Sequence, residues 1–236
     1  MSATTVPTHD ASPDTPTATP TAAVPRPRAV AVRRWFLVAS PVLAGLFAVL
    51  GAWADPGAGS SGREMFEVYA AQPDPLQWKS LGFHWSYSFW IAPALLLAAY
   101  VRGRGAWLAN VGALLGFVGM TTLPGLLLVD YYDSAIGQLY GVDATVAVSE
   151  HMSATMWGTV ALTVPGLVGF MLALPVAAVA LWRAGLVRWW APASVVAGYA
   201  AFLLSGVMWW GCAITTLCLT VFAVAVERAT RPGAAG

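Results

Sequence analysis

Apolar residues in this chain run in long charge-free blocks instead of alternating with polar ones, and that pattern predicts helices that cross a membrane. Six blocks have a suitable length: about 35–54, 83–101, 106–129, 154–182, 189–207 and 210–226. The last two come from one uncharged run, Trp189 to Val226. As a single helix it would reach about 57 Å, nearly twice the hydrocarbon thickness, so it is divided around Met208-Trp209-Trp210-Gly211. The fold class expected is all-α, a polytopic bundle of six transmembrane helices whose solvent is the lipid bilayer.

The gaps between blocks orient the bundle. Arg26, Arg28, Arg33, Arg34, Arg102, Arg104, Arg183, Arg188, Arg228 and Arg231 fall in alternate gaps with only Asp10, Asp14 and Glu227, roughly +7 in sum. The other gaps hold Asp55, Glu64, Glu67, Asp74, Asp130, Asp133, Asp143 and Glu150 against Arg63 and Lys79, roughly −6. The formal net charge of +1 conceals this segregation. Positive gaps belong on the cytoplasmic side, so both termini are expected there, in a multi-pass protein of the cell membrane. Trp78, Trp85, Tyr87 and Trp90 crowd the outer end of the second span, where amphipathic rings favour the headgroup layer.

Residues 1–30 are rich in Thr, Pro and Ala and cannot bury enough surface to offset ordering entropy, so a disordered cytoplasmic tail is expected before a membrane domain at 31–228 and a short tail at 229–236. Arg33-Arg34-Trp35-Phe36-Leu37 also resembles a twin-arginine export signal, with Ala52-Trp53-Ala54 as a cleavage site; the further spans favour an uncleaved anchor. Outside the membrane, Ser61-Gly62-Arg63-Glu64 has capping-box spacing and predicts a short helix through Met65, Phe66, Val68 and Tyr69 on the outer surface. Asp74-Pro75 predicts the start of the second span's helix in water, and Asp143 a further helix cap.

With 58% hydrophobic and 10% charged residues, too few polar groups exist to coat a water-soluble globule. Lys79, the one lysine, follows Trp78 instead of glycine, so a phosphate-cradling loop is missing and no nucleotide site is expected; nor is nucleic acid a partner. Cys212 and Cys218, six apart on one helix, are too distant to bond each other.

Small residues predict helix contacts: the Gly112/Gly116 pair in the third span and an Ala197, Ala201, Ser205 ladder in the fifth. A repeated phrase is less ordinary. Thr122-Leu123-Pro124-Gly125-Leu126 in the third span is echoed by Thr163-Val164-Pro165-Gly166-Leu167 in the fourth. Each proline frees a carbonyl four residues back, which in lipid requires a hydroxyl, a water or a substrate. Thr122, Pro124, Thr163 and Pro165, with Thr155, Thr159, Thr121, Thr215, Thr216 and Thr220, are candidates for a polar substrate cavity of a permease; the plainer reading has threonines satisfying the kinks. Ionisable residues are nearly missing at bilayer depth, which disfavours proton-coupled transport.

At the outer rim His84, Asp130, Glu150 and His151 lie at the ends of three spans, with Tyr131, Tyr132 and Asp133 nearby. Two imidazoles and two carboxylates form an admissible set for a divalent metal that activates water, although no HxxxH or HExxH spacing is present. His84 and His151 as opposed axial ligands of a haem are a variant of the same idea. Gly59-Ser60-Ser61-Gly62 matches the GxSG of rhomboid proteases, but its serine falls in an outer loop and the last two spans lack histidine.

Leu181-Trp182-Arg183-Ala184-Gly185-Leu186-Val187-Arg188-Trp189, together with an outer helix leading into Gln72-Pro73-Asp74-Pro75 and then a span, resembles a broad group of uncharacterised six-helix integral membrane proteins of high-GC Gram-positive bacteria. The resemblance covers the layout of residues 35 to 228 and implies architecture, without catalytic residues to carry over. The function expected is a non-enzymatic binding, accessory or structural membrane component, with a second copy or another membrane protein as partner. A passive or partner-driven permease and an outer-face metal-dependent enzyme are the alternatives.

Overall fold

The computed structural model describes residues 28–231 and is built from helices, with no strand among the described residues. The helices are α1 (Arg28–Ala54), α2 (Arg63–Ala71), α3 (Pro73–Leu97), α4 (Ala106–Leu126), α5 (Leu128–Tyr140), α6 (Val142–Thr155), α7 (Trp157–Arg183), α8 (Trp190–Leu204) and α9 (Trp209–Thr230). Residues 1–27 of the expected tail, and 232–236, lie outside the described residues.

Six helices close into a ring in which each touches the next: α1, α3, α4, α7, α8, α9 and back to α1, with α3 also reaching α7 across the middle. Helices α2, α5 and α6 pack on one another over the end where α3 begins. The ring's interior is an aromatic and alanine core. Trp90 is fully buried among Phe170, Tyr199 and Phe202, with ring centroids 4.8–5.2 Å away in tilted or edge-on geometry. The outside is as apolar as the inside, with Phe117 60%, Leu217 68% and Leu204 88% exposed. Four segments, Arg28–Ala54, Ala106–Tyr140, Trp157–Arg183 and Trp209–Thr230, are long and apolar enough to cross a membrane, and α8 is a shorter apolar helix. A surface this greasy is stable in lipid and not in water, and the chain is a membrane protein.

Several boundaries differ from those expected. Helix α3 begins at Pro73, in the polar segment, and ends at Leu97 instead of residue 101, so its first turns lie outside the expected apolar span. The block expected to run to residue 129 breaks at Leu127, and α5 turns away toward α2. At the far end, the division in the long apolar run falls at Ser205–Met208, overlapping the expected Met208-Trp209-Trp210-Gly211 at its first residue. There Gly206 and Val207 both have positive φ, and their N–H groups bond to the carbonyls of Leu203 and Phe202, closing α8 with a left-handed turn. The capping residues also differ. Gly62, with no side-chain bond, precedes α2, so Ser61 does not cap it; Asp143 lies inside the first turn of α6 and reaches Arg63 at 2.5 Å.

Small residues set the closest helix approach, though not where the motif alone placed it. Gly112 faces Ala173 and Ala177 of α7, while Gly116 faces Ile91 and Leu95 of α3, so the pair serves two different neighbours. Helices α4 and α7 also come close at Gly119 against Gly169, where a Cβ added at Gly169 would lie 2.5 Å from the Gly119 nitrogen and from the Leu115 carbonyl oxygen. Of the expected ladder, Ala197 is exposed, while Ala201 and Ser205 lie against Gly211 of α9, and Gly198 of α8 adds a contact with Cys218.

Candidate functional site: the polar cluster beneath the helical cap

Helix α3 carries Leu76, Lys79, Ser80 and Phe83 at i, i+3, i+4 and i+7, and all four are buried. This stripe points Lys79 into the junction of α2, α3 and α5. The Lys79 ammonium donates to Asp130 Oδ2 of α5 at 2.6 Å and to the Tyr69 hydroxyl of α2 at 2.8 Å, and sits 4.8 Å from the Tyr69 ring centroid. Ser80 Oγ adds a second bond to Asp130 Oδ2 at 3.2 Å. The surrounding bonds are of the same kind: Ser134 Oγ donates to the Tyr69 carbonyl at 2.7 Å, and Thr145 Oγ1 to the Asp133 carbonyl at 3.3 Å. Six side chains on four helices thus knit the cap together and, through Lys79 and Ser80, fasten it to α3.

Electrostatics follow from burial. Lys79 is only 8% exposed; burial alone would lower its pKa, but the charge and hydrogen bond of Asp130, with the Tyr69 hydroxyl, outweigh it and hold the ammonium above its ordinary 10.5. Burial raises the Tyr69 hydroxyl, with Lys79 opposing it. Asp55 and Asp133 are both raised above 3.8, chiefly by desolvation, with Lys79 pulling the other way. A lysine held protonated this firmly is a poor nucleophile or base and a good structural cation.

The sign of the linkage is set by that upward shift. The stabilisation from Lys79 is complete below its unfolded value near 10.5 and is lost only as pH rises through the folded value. The melting-temperature gap between the wild type and Lys79→Met should therefore stay constant from about pH 7 to about pH 10 and narrow only at more alkaline pH. Thermal denaturation followed by circular dichroism across that range checks it.

The four residues expected as a metal set are not brought together. Asp130 is engaged by Lys79 and Ser80. His84 Nδ1 lies 3.4 Å from the carbonyl oxygen of Pro124, while Glu150 and His151 stand exposed on α6. Among the described residues no group of three or more His, Cys, Asp or Glu is placed to hold a metal ion. A cation of the protein itself, Lys79, already neutralises Asp130, the less exposed of the two carboxylates.

The repeated Thr-x-Pro-Gly phrases do meet. They close on each other instead of opening a cavity, because a Cβ added at Gly166 would strike the Thr122 side chain. Thr122 Oγ1 donates to the Val118 carbonyl at 2.6 Å and Thr163 Oγ1 to the Thr159 carbonyl at 2.7 Å, each within its own helix. Thr215 donates to the carbonyls of Gly198 and Gly211, both at 2.9 Å, and α9 packs on α1 and α8, not on the kinked pair. The break after Pro124 instead borders a cavity of about 250 Å3 that includes Ser80, His84, Gly125, Leu128 and Tyr131.

Sequence reasoning passed over Lys79 as a site residue; it entered only among the charges of the acidic gaps and as a lysine outside any phosphate-cradling loop. The signal was present: the chain's one lysine occupies the position in the Leu76, Ser80, Phe83 stripe that a buried face requires. In comparison with known proteins, no family model matches the chain, and neither does a curated protein or a solved structure.

Proposed function

We propose that this chain is a non-enzymatic binding, accessory or structural component of the cell membrane, with six spans, both termini cytoplasmic and a helical cap on the outer face. The observation that carries this reading is the Lys79–Asp130 pair: the charged groups under the cap are bonded to one another, as in a scaffold, and not arrayed around a substrate. The closed ring of α1, α3, α4, α7, α8 and α9 supports the span count, since α3 and α8 complete a circuit that the four longer apolar segments leave open. The arginine gaps 102–104 and 183–188 join helices at the ring end away from the cap, in keeping with positive loops inside. Its partner on this reading is the bilayer together with a second copy or another membrane protein.

Reporter fusions test the topology. A fluorescent protein after Gly236 should fold and fluoresce in the cytoplasm, and a phosphatase inserted at Gly59 should be active outside; phosphatase activity after Gly236 would contradict the arrangement. Pro124→Ala with Pro165→Ala distinguishes scaffold from permease. The double variant should assemble and fold as the wild type does, whereas a solute flux into proteoliposomes that disappears with the prolines would favour transport.

A further inference from the structure

Between the outer ends of α1 and α3 lies an open cavity of about 640 Å3, within the size range of small-ligand sites. Leu50, Trp53, Pro75 and Trp78 supply apolar walls, and Asp55 and Asp74 supply the charge. No basic side chain is among the residues lining it. The two cations at this end of the molecule are committed elsewhere: Lys79 bonds Asp130 and Tyr69, and Arg63 bonds Glu67 at 3.0 Å and Asp143. Asp55 Oδ1 accepts only the Gly57 N–H at 2.9 Å, and Asp74 Oδ1 only the Gln77 amide at 3.2 Å. A half-buried carboxylate thus faces a tryptophan-walled groove with no cation bonded to it among the described residues.

Three features narrow the ligand. Two carboxylates lining a groove that no basic side chain lines, the nearby Lys79 being bonded to Asp130 and Tyr69, select a cation. Two tryptophans, Trp53 76% and Trp78 58% exposed, line the groove, and indole rings bind weakly hydrated organic cations well. The apolar walls disfavour a bare metal ion, which needs a shell of polar ligands, and favour methyl groups carried on nitrogen. We propose that this groove binds a quaternary ammonium group, of the choline class, between Trp53 and Trp78 with Asp55 as its counter-charge. The cation has two sources, a lipid headgroup or a free solute. The inference gives a ligand to the binding component proposed above, and depends on that reading only for the side of the membrane on which the groove opens.

Isothermal titration calorimetry on the full-length protein in non-ionic maltoside micelles tests it, comparing choline chloride with sodium chloride at equal ionic strength. A second comparison sets dihexanoyl phosphatidylcholine against phosphatidylglycerol of the same chain length. Saturable binding of choline chloride supports the site with a free solute as source. Binding of phosphatidylcholine alone supports it with the headgroup as source. Asp55→Asn keeps the acceptor for the Gly57 N–H and should weaken binding about tenfold or more, as should Trp78→Ala. Trp53→Ala, at an exposed position, carries the same expectation and is read if Asp55→Asn fails to fold. No saturable heat with either choline compound up to about 50 mM, equal binding of phosphatidylglycerol, or variants that bind like the wild type would overturn the proposal. Because the titration is done in micelles, a topology opposite to the proposed one would leave it unaffected, and a failed titration would leave the spans standing.

Discussion

Lys79→Met should destabilise the protein by about 3 kcal/mol, since it leaves Asp130, whose side chain is only 20% exposed, without its cation. In a domain of this size that corresponds to a melting temperature lower by about 10 °C in detergent. Desolvation is the governing term: removing one partner strands a charge, whereas removing both need not. The double variant Lys79→Met with Asp130→Leu should therefore recover much of the loss, and Asp130→Leu alone should resemble Lys79→Met. The loss should be felt first in the cap, because Tyr69 of α2 and Asp130 of α5 share the lysine. Hydrogen exchange would then show faster exchange across α2 and α5 than across α7. A single variant melting within about 1 °C of the wild type would show that the pair holds nothing together.

Gly169→Val is expected to be comparably damaging for a different reason. Its new side chain would meet backbone atoms of Gly119 and Leu115, which cannot move aside as a flexible side chain can. Helices α4 and α7 would have to separate along their whole contact, at about 3 kcal/mol or more. Gly125→Ala is the control, since a Cβ there meets nothing within 4 Å. Replacing a helical glycine with alanine should stabilise α4 by about 0.5–1 kcal/mol. Melting curves of the two variants side by side measure the contrast. Equal stability would mean that the close approach of α4 and α7 is not what holds their proline-bearing segments together.

The site was less legible than the fold. Asp130 and His84 were singled out because their residue types and depths suit a metal, but depth along a span says nothing about azimuth around the helix. Asp130 faces α3, where a lysine lies one stripe position from a serine, and His84 faces the helix break after Pro124. The kinked phrases were read correctly as neighbours on adjacent helices. Whether they open or close depended on Gly166 lying against Thr122, a contact between residues 44 positions apart that no local pattern encodes.

Length and hydropathy are one-dimensional quantities, and they sufficed to establish that the chain is helical and made for lipid, because backbone hydrogen bonds in hydrocarbon leave the helix as the one open choice for such blocks. The arginine and acid segregation, likewise additive along the chain, supplied an orientation to test. Tertiary structure decided what addition along a sequence does not: which cation neutralises which acid, where two helices come close enough to exclude a side chain, and which carboxylates are left facing a groove. These depend on the relative rotation of packed helices, and a rotation of a single residue's step, about 100°, is enough to exchange a buried partner for the solvent.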